Sequence, residues 1–266
     1  MRTDILPLFR RALGDSWRSL LAWTAGIAAA IALYIPLFPS LAGDDMQALL
    51  DSLPPELVNS LGYNELSSGA GYVQATILGL IGFLLLTIAA TSWGTSAIAG
   101  DEETGTLELT LAHGVSRHQV VLERAAAIIM RLVWLGLVAC GLIIALDDVA
   151  ELDLEPANVL AGGAALVGLT LLSATLALAL GAITGRRVFA TAAGAGIAVL
   201  GYALNAIANQ SKDTAWLHGA SPYHWAYGST PLADGVDWAS LGLLFGISAA
   251  LIGVAVLALS KRDIAG

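Results

Sequence analysis

Apolar residues in this chain fall into long unbroken runs, and the charged residues gather in the intervals between them. Six runs, at about residues 20–38, 75–98, 125–146, 157–184, 188–209 and 238–260, are long enough to cross a bilayer, because about 20 residues at ~1.5 Å rise each span a ~30 Å hydrocarbon core. The second carries no charge from Leu66 to Gly100, and the fourth none from Pro156 to Gly185. The pattern predicts an all-α integral membrane protein, a single transmembrane domain over residues 1–266 with six spanning helices.

The intervals have patterns of their own. Near the start, Ile5, Phe9, Leu13 and Trp17 recur at every fourth position with Arg11, Asp15 and Arg18 on other faces, as in an amphipathic helix lying on the membrane surface. The competing expectation is a helix that simply continues into the first span. The apolar run that follows is longer than the roughly 7 to 15 residues of a signal-peptide core, which predicts an uncleaved anchor. After the first span, Met46, Leu49, Leu50 and Leu53 suggest a short amphipathic helix broken by Pro54 and Pro55.

The interval between the second and third spans is the most structured. It reads "GDEETGTLELTLAHGVSRHQVV" from Gly100 to Val121 and contains three consecutive acids, Asp101, Glu102 and Glu103. "EETGTLELTLAH" predicts a short helix with Leu107, Leu109 and Leu111 as its apolar positions, and Gly114 supplies a stop. Ser116 with Gln119 three residues on has the spacing of a capping box that starts the next helix. Helix, tight turn, helix is an elbow rigid enough to pass a push from outside the bilayer into it.

Composition agrees with the pattern: 57% hydrophobic, 12% charged and a mean hydropathy of +0.76 describe a chain living mostly in lipid. Basic residues near helix ends set orientation. With the N-terminus inside, 11 of the 12 basic residues fall on the inner side, if Arg131 snorkels to it, and only Lys212 falls outside. Thirteen of the 21 acids lie outside, so the net charge of −9 divides into +3 inside and −12 outside. The balance gives no reason to expect a nucleic-acid partner. A plasma-membrane protein with both termini in the cytoplasm is expected, and "SKDTAWLHGASPYHWAYGSTPLADGVDW" before the last span is expected to be an aromatic belt at the headgroups.

Catalytic chemistry finds little support. His113, His118, His218 and His224 all lie outside the spans and no HExxH spacing occurs, so no metal site is expected. Cys140 is alone, which excludes a disulfide within the chain. Glu102 and Glu103 open the EExxxR spacing of CAAX-type intramembrane proteases, but position 107 is Leu. Neither GxSxG nor GxxxxGK occurs, so no catalytic residue and no phosphate loop is assigned. Arg131 is the one charged residue within a predicted span. An ion-coupled secondary transporter would need acidic relays and inverted repeats; it stands as an alternative, beside a non-transporting membrane anchor or immunity protein.

"DEETGTLELTLAHGVSRHQVVLER" resembles the signature between the second and third spans of the ABC-2 type transporter permeases, in which EE-x-G-T-L-E is followed by a Ser-Arg pair. The six-span layout is similar over the whole chain, and "SPYHWAYGSTPL" resembles the Ser-Pro-aromatic segment of some of these permeases. The resemblance implies a permease without an ATPase site, which binds no cofactor itself. ATP and Mg would be bound by a separate cytosolic ABC ATPase, in two copies, against a dimer with a second permease copy, identical or related. Glu102, Glu103, Gly105, Thr106, Leu107 and Glu108 would form the coupling segment, and Ser116 and Arg117 its exit. The acids would pair with Arg or Lys of the ATPase, the leucines enter an apolar groove, and Gly105 allow close backbone approach. Phe83, Thr87, Thr91, Tyr202 and Asn205, on the second and fifth spans, would line a cavity for a hydrophobic or amphiphilic substrate such as a drug, antibiotic, lipid-like compound or peptide. Membrane lipid is the remaining partner, and export the expected direction.

Overall fold

The computed structural model describes residues 6–41 and 68–262; Ile5 and the short helix expected around Met46 and Leu53 lie outside the described residues. In chain order the helices are α1 (Pro7–Asp15), α2 (Trp17–Tyr34, extended by turns to Leu41), α3 (Gly69–Glu103), α4 (Thr106–Ala112), α5 (Arg117–Ala150), α6 (Pro156–Thr184), α7 (Arg187–Ala208), α8 (Pro222–Tyr227), α9 (Pro231–Asp234) and α10 (Trp238–Lys261). Six of them, α2, α3, α5, α6, α7 and α10, are long and apolar enough to cross a membrane. Among the described residues there is no strand. The protein is an all-α integral membrane protein.

Helices α3 and α5 run past their apolar stretches, because nothing breaks them where the charges begin. α3 carries through Asp101, Glu102 and Glu103 and stops only at Gly105. α5 starts at Arg117, where the Ser116 hydroxyl accepts the Gln119 backbone N–H at 3.2 Å. The capping box is half made: the Gln119 side chain turns away and donates to Glu123 at 2.6 Å.

Helix α6 is the axle of the bundle. Its apolar window is 83% buried, against 17% in the first and last spans, and it packs against α3, α5, α7 and α10. In lipid, where apolar surface gains nothing by leaving its solvent, helices associate through close packing of small residues. Gly94 on α3 meets α6 so closely that a Cβ there would stand 2.2 Å from the Ala174 carbonyl oxygen. Hydroxyls on α6 are satisfied within the helix, as Thr170 donates to Leu166 O at 2.8 Å and Thr175 to Leu171 O at 2.9 Å. Between α3 and α7, Thr95 and Thr191 share a hydrogen bond at 3.1 Å.

At the end opposite the arginines, the aromatic segment has more than one role. Trp216 and Trp238 are exposed, as a headgroup belt requires. Tyr223 and Tyr227 turn inward instead. Residues Val73–Gly82 of α3 form wide π-helical turns, and the Tyr227 and Tyr223 hydroxyls donate to the Leu78 and Gly79 carbonyls at 3.1 and 2.9 Å. Irregular turns leave carbonyls short of partners within the helix, and the tyrosines of α8 supply them. Burial pushes the Tyr227 phenol well above its usual range, so it keeps the proton it donates. Beside it His218 stacks on His224 with ring centroids 3.9 Å apart.

Candidate functional site

The charged residues converge at the end of the bundle that holds α1, α4 and the start of α5. α3 ends there with its three acids, and each of them reaches a different helix. Asp101 pairs with Arg124 of α5 at 2.5 Å. Glu102 pairs with Arg262, just past the end of α10. Glu103 accepts the backbone N–H of Arg187 at 2.8 Å, with the Arg187 Nε 3.8 Å from its other oxygen, at the first residue of α7. Successive positions of a helix point about 100° apart, so three adjacent acids fan out to three partners. The site therefore ties α3 to α5, α7 and α10 at one level.

The arginines add a second layer by capping helix ends. Arg117 donates to the carbonyls of Leu259, Ser260 and Arg262 at 3.2, 3.4 and 2.6 Å, which places its charge at the negative end of the α10 dipole. Arg124 also donates to the Ala97 carbonyl near the end of α3, within a second π-helical stretch, Ser96–Gly100.

Several of the expected site residues have contacts within the chain. Glu102 and Glu103, read as charges presented to a partner, are paired within the chain. Arg117, read as the exit of the coupling segment, holds the end of α10. Gly105 has a backbone that favours glycine: its φ is +71°, and nothing in the chain lies within 4 Å of where a Cβ would be. With Gly114 at φ +82°, it bounds α4 on both sides with conformations that favour glycine. Leu107 is fully buried, packed with Ile98, Val121 and Leu178 in the apolar cluster beneath α4. Leu109 is 64% exposed, and Thr106 and Glu108 are exposed beside it. The Thr106 hydroxyl folds back onto the Asp101 carbonyl at 3.1 Å. So α4 is clamped by one leucine and shows a different face outward.

The use of two further charged residues, Glu123 and Arg131, to hold α1 was not foreseen. Glu123, which precedes the apolar run, is inside α5 and only 2% exposed. It accepts the backbone N–H of Phe9 at 2.8 Å, one of the N–H groups that the first turn of α1 leaves without an intrahelical partner. Arg131, expected to snorkel, donates instead to the Ala12 carbonyl in the last turn of α1 at 2.5 Å and lies 5.3 Å from the Trp93 ring. An acid meets the positive end of α1 and a cation its negative end. α1 is a separate helix, broken from α2 at Ser16, and is docked on α5 rather than resting on lipid alone. The signal in the sequence was an acid eight residues before the arginine in one helix, on the side otherwise rich in basic residues.

The expected cavity residues are brought together but closed. Phe83, Thr87 and Thr91 are buried, and Thr91 packs against Gly194 of α7. Tyr202 and Phe83 both meet the Tyr223 ring edge-on, at 5.1 and 5.4 Å, while Asn205 is 3.3 Å from His224 Nδ1. They form a packed seam in which Thr91 meets α7 directly while Phe83, Tyr202 and Asn205 are joined through Tyr223 and His224 of α8. The hydroxyls of Thr87 and Thr91 are buried with no hydrogen-bond partner. No cluster of metal-ligating side chains occurs among the described residues.

A family profile described as ABC-2 family transporter protein matches residues 6–264. No curated protein matches the chain.

Proposed function

Because this chain belongs to the ABC-2 family of transporter proteins, and is thus a multi-pass permease subunit that works with an ABC ATPase partner, we propose that α4 is the element through which that ATPase drives export. The arginine-rich end is the cytoplasmic one, with both termini on that side of the plasma membrane. Two ATPase copies, which bind ATP and Mg, act on a dimer of this permease with an identical or related copy.

The observation that carries the reading is the double character of α4. Its outer face, Thr106, Glu108 and Leu109, is free to meet a protein surface, while Leu107 and the adjoining acids connect it to α3, α5, α7 and α10. A push on the outer face thereby reaches four spans as one body. The acids transmit the movement, whereas Leu109 and Glu108 make the contact. Nucleotide must favour one of two arrangements by a free-energy difference for this to work.

The substrate path follows the seam between α3 and α7. Phe83, Thr87, Thr91, Tyr202 and Asn205 offer it an apolar wall, and two buried hydroxyls without partners are groups that a passing ligand would satisfy. Such a wall suits a hydrophobic or amphiphilic cargo moved by alternating access.

The test is assembly. Leu109→Asp with Glu108→Arg changes only exposed residues, so the permease should fold normally and lose the ATPase by roughly thirtyfold in affinity, the scale of a central interface residue. Equal ATPase co-purification with the variant and the parent would overturn the role of α4.

A further inference from the structure

Between α1, α4, the end of α3 and the first half of α5 lies a cavity of about 590 Å³. Its wall carries three arginines and two acids. Two of the arginines are matched: Arg11 with Asp15 at 3.4 Å and Arg124 with Asp101 at 2.5 Å. Arg131 has no carboxylate among the described residues. It is 7% exposed, its Nε is buried without an acceptor, and what it has are one backbone carbonyl and the face of Trp93. A guanidinium taken out of water normally recovers its lost hydration from an anion with two acceptor oxygens. The carbonyl and the ring supply only part of that. The lining therefore has one positive charge in excess, next to open space, with Leu8 and Ile128 as its apolar neighbours.

We propose that this cavity binds the phosphodiester headgroup of an anionic phospholipid, its phosphate against Arg131 and Trp93 and its glycerol end along Leu8 and Ile128. The chemistry selects a singly charged group with paired oxygens attached to an apolar body, and the setting selects its source. α1 is half-buried along Leu8, Ala12 and Leu13 and carries an exposed Arg10, so the cavity opens where a helix of mixed character borders lipid. A lipid seated there would touch α1, α4 and α5 together and would hold α4 in the position from which the ATPase moves it. The inference rests on the assignment of this end to the inner leaflet. Labelling His118→Cys, an exposed position at the start of α5, from each side of sealed membranes tests that assignment by itself.

The binding test uses the full permease purified in mild detergent. Native mass spectrometry is run with phosphatidylglycerol, with phosphatidylcholine and with inorganic phosphate. Phosphatidylglycerol should remain bound in a one-to-one adduct. The adduct should fall about tenfold in Arg131→Gln, the loss of one charged hydrogen-bonding group. Thr110→Trp fills the cavity from α4 while leaving Arg131 and its bond to Ala12 in place, and it should abolish the adduct as well. Retention of phosphatidylglycerol in Thr110→Trp would overturn the proposal. So would equal binding of phosphatidylcholine, which marks an unselective lipid, or full displacement by millimolar inorganic phosphate, which marks a site for a free anion.

Discussion

The carboxylate of Glu123 accepts the backbone N–H of Phe9 at 2.8 Å, so a buried acid of the third span is the N-terminal anchor of α1. Removing it as Glu123→Ala leaves that N–H without an acceptor and should destabilise the docked helix by about 1 to 3 kcal/mol. Glu123→Gln keeps an oxygen in place and should keep most of the stability. The measurement is protease or thiol-reagent access to α1, compared with the melting temperature of the whole chain. Equal protection of α1 in all three proteins would show that the contact carries no weight.

Pairing of Glu102 with Arg262 predicts rescue by exchange. Glu102→Arg and Arg262→Glu should each lower the melting temperature, and the double variant should recover it, with a coupling of about 1 kcal/mol in a double-mutant cycle. Were Glu102 reserved for an arginine of the ATPase, the exchange would leave the single defect uncorrected in the assembled transporter.

Two glycines separate turn geometry from packing. Gly105→Ala meets no neighbouring atom but must hold φ near +71°, which should lower stability by about 1 kcal/mol and impair stimulated ATP hydrolysis more than folding. Gly94→Ala drives a methyl into the Ala174 carbonyl and should separate α3 from α6. Its expected result is loss of folded protein after detergent extraction, a far larger effect than that of Gly105→Ala.

The parts of this molecule that could be read along the chain are those specified by near neighbours. Uncharged runs locate spans, Gly114 stops α4, and Ser116 caps α5 because its partner is three residues away, whereas the break at Gly105 inside the expected helix was not read. The partners of Asp101, Glu102 and Glu103 could not be read that way. Glu102 and Arg262 are 160 positions apart, and only the packing of α10 beside α3 decides that they meet. An acid in a loop has the same appearance whether it awaits another protein or an arginine of its own chain. The inward turn of Tyr223 and Tyr227 was hidden for a related reason, since nothing in the residues Val73–Gly82 announces wide turns with carbonyls to fill.

The stacked histidines give a pH dependence. Burial, and then the neighbouring His218, hold His224 below its ordinary value of 6.5. The folded state therefore keeps His224 neutral while the unfolded chain takes up a proton below that value. Stability from this group is complete above pH 6.5 and declines as pH falls from there toward the lowered value. Melting temperatures measured between pH 8 and pH 5 should show that decline, and His224→Gln should flatten it. A variant as acid-sensitive as the parent would place the effect elsewhere.

Arg124, Arg187 and Arg262, which hold the three acids, all lie near helix ends, where basic residues of membrane proteins in general resist translocation. Each is a free cation when it is made and the counter-ion of an acid on α3 once the bundle is packed. Synthesis delivers them in order, and Arg262 arrives only after the sixth span has been made. Until then Glu102 has no partner, and the elbow beside it is tied to two helices instead of three. Completion of the bundle and completion of this clasp are thus one event, and a nascent chain lacking its last helix would leave the end of α3 one tie short.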